Sequence, residues 1–293
     1  MATIETHGEH ANFGGRTGFY SHRSETCGGE MRFSQDDEVY KLRSYQLSIA
    51  VGKEAAKRGV KAFVECSTGS VYNPSRTPCK EGEKTSKPHT KQAKWKLQAE
   101  EELAKIPGLR LCVLRLPHVY GPYGGRWLGT QLALARVYQS REPKETLKWL
   151  WSSDLRTNTL HVEDCARAMW AAALWRSTNN SLPSPAPPSA PIVFNVVDRG
   201  ATSQGTIAAI IKDIFGIETG FQNTFVNTFA RLNLEHVVDE VNDDVLDDWA
   251  DLLEGAEVKE NGGPLSPFME KELLRDADLS LDGGRFEGVV GWR

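Results

Sequence analysis

The chain has 293 residues, 40% of them hydrophobic, enough to bury a substantial core as one large domain or two small ones. Its 35 Lys and Arg residues stand against 39 Asp and Glu, a net charge of -4, and the basic residues are scattered, which excludes the electrostatic footprint of a nucleic-acid binder. Cys27, Cys66, Cys79, Cys112 and Cys165 are odd in number and lack any C-x-x-C, so no disulfide framework and no metal site is expected and a reduced, cytoplasmic setting fits. The polar N-terminus has no apolar leader, and no run of about 18 apolar residues suggests a membrane span.

Residues 1–36 are rich in Gly, His and Ser without periodicity and read as a poorly ordered segment. From Asp37 the chain becomes regular. Leu47, Ala50, Val51 and Ala55 form a helical stripe that ends at Arg58-Gly59, where glycine can take the left-handed cap. VKAFVECS follows as a buried strand, rich in β-branched and aromatic residues. A loop with Pro74, Pro78 and Pro88 leads to a predicted helix over 90–105, a strand LRLCVLRL over 109–116, and the turn PHVYGPYGG. Helix, strand, helix, strand with short connections predicts a parallel α/β sheet.

In the second half, TLHVEDCARAMWAAALW reads as a strand end and then a helix with Glu163 and Asp164 in its first turn, the sign that suits a helix N-terminus. SLPSPAPPSAP (181–191) is a proline-rich surface loop before the strand IVFNVVD. Thr202 or Ser203 can cap a helix carrying Ile207, Ile210, Ile211 and Ile214, which Gly216 stops. EVNDDVLDDWADLLE places Val241, Val245, Trp249 and Leu252 on one helical face, with aspartates on the remainder.

Taken together, ECSTGSVY, Lys96-Leu97 with Glu100, LRLPHVYGP, LHVEDCARAMWAA, FNVVD and the closing VVGW resemble the extended short-chain dehydrogenase/reductase family, the NAD-dependent epimerase/dehydratase group, in the family's order. The resemblance implies an α/β fold. A Rossmann-like core over residues 37–176 is then followed by a smaller substrate-type region over 177–293. It implies NAD or NADP as cofactor, and a sugar nucleotide or sterol-like alcohol as substrate. A homodimer is possible. Neither nucleic acid nor membrane is an expected partner.

By the same resemblance Thr68, four residues before Tyr72, supplies the catalytic hydroxyl, and Lys96 is the helix lysine that also holds the nicotinamide ribose. Pro117, His118 and Val119 fall on the cofactor side, with His118 an acid or base candidate. Such an enzyme needs a base whose pKa is drawn towards neutrality, and a phenol beside an ammonium serves. Here the position four residues before Lys96 is Gln92, whose amide cannot be deprotonated. The family's strand, G-x-x-G-x-x-G turn and helix, which bind pyrophosphate through free N–H groups and the helix dipole, have no counterpart; the nearest cluster, FGGRTG (13–18), lacks the flanking elements. The chain reads as a family member without its first βαβαβ unit. Three readings follow: a truncated form of an NAD(P)-binding protein, a non-catalytic binding module, or a cofactor-free isomerase or lyase working through Lys96, His118 or His161.

Overall fold

The computed structural model describes residues 32–179, 191–258 and 265–292. Nearly all of the expected poorly ordered segment 1–36, the FGGRTG cluster, and the Pro-rich loop up to Ala190 lie outside these residues.

A short helix α1 (Asp37–Tyr40) runs through a π-helical stretch, Lys41–Gln46, into α2 (Leu47–Lys57). Strand β1 (Phe63–Thr68), helix α3 (Lys91–Ala104) and strand β2 (Leu111–Leu116) follow, close to the sequence expectation. β2 pairs in parallel with β1 on one side and with β6 (Val193–Asn195) on the other. Alternation along the strands divides the core. Phe63, Leu111, Val113 and Val193 pack with Ala55 and Leu103 of α2 and α3. Val64, Cys112, Leu114 and Phe194 pack on the opposite face with Ala168 and Ala172 of α5 (Val162–Thr178) and Phe286 of α10 (Gly284–Val290).

Two further parallel pairs extend the carboxyl side. β3 (His118–Tyr120) pairs with β5 (Thr159–His161), and β4 (Leu147–Trp149) with β7 (Thr219–Phe221). Around β4 a separate core joins α4 (Leu128–Ser140) and α6 (Gln204–Phe215) through Leu134, Ile207 and Ile211. Ser203 caps α6 in a reciprocal box with Thr206, and Gly216 stops it at φ 63, as the sequence suggested.

Two elements differ from expectation. The buried face of α2 is Ser48, Gly52 and Ala55, continued upstream by Ser44, whereas Leu47 is exposed. Small residues at this spacing let α2 approach α3 closely: a Cβ on Gly52 would stand 2.4 Å from Leu103 Cδ2. The acidic segment is two helices, α8 (Leu234–Asp244) and α9 (Leu246–Gly255), broken at Val245, which is buried. Val241, Val245, Trp249 and Leu252 nevertheless all face the core, as read.

Candidate functional site

The parallel register sets Thr68 beside Leu116, so the ends of β1 and β2 open on the same side. Thr68 closes β1 and its Oγ1 accepts from Ser70 N at 3.2 Å, fixing the tight turn Gly69–Val71. Helix α3 begins at Thr90, whose side chain accepts from Ala93 N. Gln92 lies in its first turn, buried, and Lys96 one turn later on the same face. Lys96 Nζ donates to Cys66 O at 2.6 Å, two residues before Thr68. The structure therefore brings Lys96 to the end of β1 that Thr68 closes, where open α/β sheets bind ligands, with Gln92 one turn earlier in α3.

Pro117 joins β2 to β3, and Val119 packs against the core beneath the sheet. His118 donates its backbone N–H to Asn158 O at 3.1 Å, and its ring stacks on Trp127, centroids 4.1 Å apart and planes 5° from parallel. Desolvation, with a smaller contribution from the nearby His89, pushes His118 down to about 3. His89 is buried and itself pushed down to about 4 by desolvation, then by Arg275. Its Nε2 has no hydrogen-bond partner among the described residues. Both imidazoles are neutral near pH 7, so neither is a proton donor of matched strength there. His161 instead caps α5, its Nδ1 accepting from Glu163 N, at the junction of strand and helix read in TLHVEDCARAMWAAALW.

Below this end of the sheet lies a polar layer. Ser67, Arg115 and Asn195 are register neighbours on β1, β2 and β6. Arg115 Nη2 donates to Glu100 Oε2 of α3 at 2.6 Å, and Ser67 Oγ donates to Glu100 Oε1. The Arg115 guanidinium lies 4.8 Å from the Tyr72 ring centroid, and Tyr72 donates its hydroxyl to Asn195 Oδ1 at 2.8 Å. Burial pushes the Tyr72 phenol up to about 12, so it holds its proton and braces the turn after Thr68. Sequence reasoning noted Glu100 only as part of a motif and missed Arg115, His89 and Trp127. Arg115 carried a signal, a charge inside the apolar strand LCVLRL that demands a buried partner. His89 and Trp127 sit on loops and gave none.

Burial pushes the thiols of Cys66, Cys112 and Cys165 up, the last two to about 12 and about 11, which suits core packing rather than reactivity. No group of His, Cys, Asp and Glu among the described residues could hold a metal ion. No helix among them is long and apolar enough to cross a membrane.

The fit to a dinucleotide is partial. Lys96 reaches the carbonyl of Cys66 near the end of β1, and the Pro117–Val119 segment follows the end of the neighbouring β2. Among the described residues, however, β1 is the first strand, and none of them forms a G-x-x-G-x-x-G turn into a helix N-terminus for the pyrophosphate.

Residues 24–182 match the model of a family described as the NAD dependent epimerase/dehydratase family. No curated protein sequence matches the chain. Among solved structures, a UDP-galactose 4-epimerase aligns with a TM-score of 0.55 at 18% identity, covering 90% of this chain and 68% of its own. The Bordetella bronchiseptica enzyme WbmG in complex with NAD and UDP aligns at 0.52 and 17% identity, covering 90% and 66%. MoeE5 in complex with UDP-glucose and NAD aligns at 0.48 and 20% identity, covering 64% of this chain and 59% of its own. The first two likenesses are of fold, a parallel sheet flanked by helices. The chain spans between 59% and 68% of the length of these three proteins.

Proposed function

The chain belongs to the NAD dependent epimerase/dehydratase family, and on that premise we propose that it is a weakly active or inactive member that keeps the substrate-side scaffold without the proton relay. The observation that carries this reading is the placement of Gln92 one helical turn from Lys96, with Lys96 Nζ at the Cys66 carbonyl of the strand that Thr68 ends. In this arrangement Thr68 and Lys96 can donate hydrogen bonds to a substrate hydroxyl, and the Gln92 amide can orient it. None of the three removes its proton near neutral pH in the way a phenolate would.

A bound dinucleotide would supply the hydride acceptor, with Lys96 and the Pro117–Val119 segment on its nicotinamide side. A sugar nucleotide is the substrate class that fits the family. Neutral His118, stacked on Trp127, serves as a wall of the cleft. A cytoplasmic setting and a homodimer accord with this reading.

Isothermal titration of the 293-residue chain with NAD, NADH, NADP and NADPH tests the cofactor half. The expected result is no binding tighter than millimolar. Sub-millimolar binding that Lys96→Met abolishes would show a complete cofactor site. The same titration with UDP and UDP-glucose separates a binding module from an inert scaffold: binding without turnover favours the module.

A further inference from the structure

Helix α7 (Thr224–Leu232) is apolar on two sides. Val226 and Ala230 face inward to the cluster around Leu150, Trp151 and Val237. Phe225, Phe229 and Leu232, spaced i, i+4, i+7, point outward and are 81%, 42% and 84% exposed. A helix apolar on both sides is expected to be covered on both. Beside the outward stripe lies a groove of about 250 Å3 between α7 and α8, floored by Leu150, Val226, Val237 and Val241 and flanked by Phe225 and Phe229. Exposed apolar stripes beside a groove mark interaction sites on soluble proteins.

The charge around the groove selects its occupant. Lys148 and Glu240 both line it. Glu240 pairs with His236 at 3.2 Å, and the His236 ring meets Phe229 edge-on. On the exposed side of α8, Asp239 and Asp243 have no ion-pair partner among the described residues. On the α7 side the charge of Arg231 is matched by Asp276 at 2.6 Å. We propose that the α7–α8 groove docks a cationic amphipathic helix of a partner protein, its apolar residues on Phe225, Phe229 and Leu232 and its Lys or Arg residues against the α8 carboxylates. This is the helix-in-groove mode of recognition. A second copy of this chain is a poorer occupant, because a two-fold contact through this patch would bring two acidic rims together. An anionic membrane surface is disfavoured for the same reason.

The probe is a fluorescein-labelled synthetic peptide of about four helical turns, with Leu at i, i+3, i+4 and i+7 positions and Lys elsewhere. Fluorescence anisotropy against the full chain is expected to give saturable binding that weakens with added salt. A Leu/Glu peptide of the same pattern, and a Leu/Lys peptide of scrambled pattern, should each bind at least tenfold more weakly. Phe225→Ser with Leu232→Ser, both on exposed positions, should cost at least tenfold, and Asp239→Lys with Asp243→Lys should reduce both affinity and salt dependence. Circular dichroism confirms that the variants stay folded. Three outcomes overturn the proposal. The scrambled peptide could bind as well as the patterned one, or the serine variant could bind unchanged. Alternatively, sedimentation could show a dimer that the serine variant dissociates, in which case the occupant is a second copy.

Discussion

Arg115 of β2 and Glu100 of α3 form a charge-assisted pair, Nη2 to Oε2 at 2.6 Å, with side chains 7% and 1% exposed. The pair ties α3 to the middle strand of the three-stranded sheet. Removing one partner leaves the other charged and buried. Glu100→Ala is expected to destabilise the fold by about 3–5 kcal/mol, whereas Glu100→Leu with Arg115→Met should recover much of that loss. Urea denaturation of the three proteins gives the comparison. Equal losses in the single and double variants would mean that the pair is not held as described.

His89 and His118 supply a pH dependence. Their folded values, about 4 and about 3, lie below the ordinary value of about 6.5, so the folded state binds fewer protons than the unfolded chain. Stability from each is present above pH about 6.5 and is lost as pH falls towards the folded value, at most about 1.4 kcal/mol per pH unit for each. Urea midpoints at pH 7, 6 and 5 should fall more steeply in the wild type than in a variant carrying His89→Gln and His118→Gln. Parallel slopes would contradict the desolvation of the two rings.

Gly121 follows Tyr120 in the turn after β3 and has φ 125, a backbone that residues with a side chain rarely adopt. A Cβ there would also meet His161 Nε2 at 2.7 Å and Val162 Cγ1 at 2.9 Å. Gly121→Ala is expected to cost about 1–3 kcal/mol. Gly108→Ala has a positive φ of 77 and nothing within 4 Å, and isolates the backbone contribution. If the two substitutions cost the same, the close approach of the 121 turn to His161 is not real.

Cys66, Cys112 and Cys165 should resist alkylation in the native protein and react only on unfolding. Burial holds their thiols protonated, and thiolate is the reactive form. Peptide mapping after iodoacetamide treatment at pH 8 reads this directly. Rapid native labelling of Cys66 would show that the end of β1 is open to solvent.

What the sequence made legible follows from the strength of each physical signal. Thr68, Gln92 and Lys96 stand out by family resemblance rather than by periodicity, whereas β1 and β2, rich in apolar and β-branched residues, could be read as strands of a parallel sheet. The face of α2 could not, because Ser44, Ser48 and Gly52 are small and weakly apolar, and their burial is decided by how near α3 comes rather than by their own hydrophobicity. The break at Val245 was hidden because the residues on either side keep one helical face buried. His89 and Trp127 reach His118 by loop conformations that no periodicity encodes.

The proton relay is the centre of this account, and restoring a phenol alone should not repair it. Gln92→Tyr places an acid one turn from Lys96, and general acid–base assistance is commonly about 10²–10⁴ in rate. The benefit requires a hydride acceptor, and no G-x-x-G-x-x-G turn into a helix N-terminus occurs among the described residues to bind its pyrophosphate. No gain is expected from this substitution in the chain as it stands.

The most direct measurement is turnover of a UDP-sugar panel by the unmodified chain with added NAD or NADP, followed by proton NMR for epimerised or dehydrated product. No product above the rate without protein is the expected result, for the wild type and for Gln92→Tyr alike. Product that forms with the wild type and disappears in Thr68→Val or Lys96→Met would contradict the account, and would show that another residue supplies the proton.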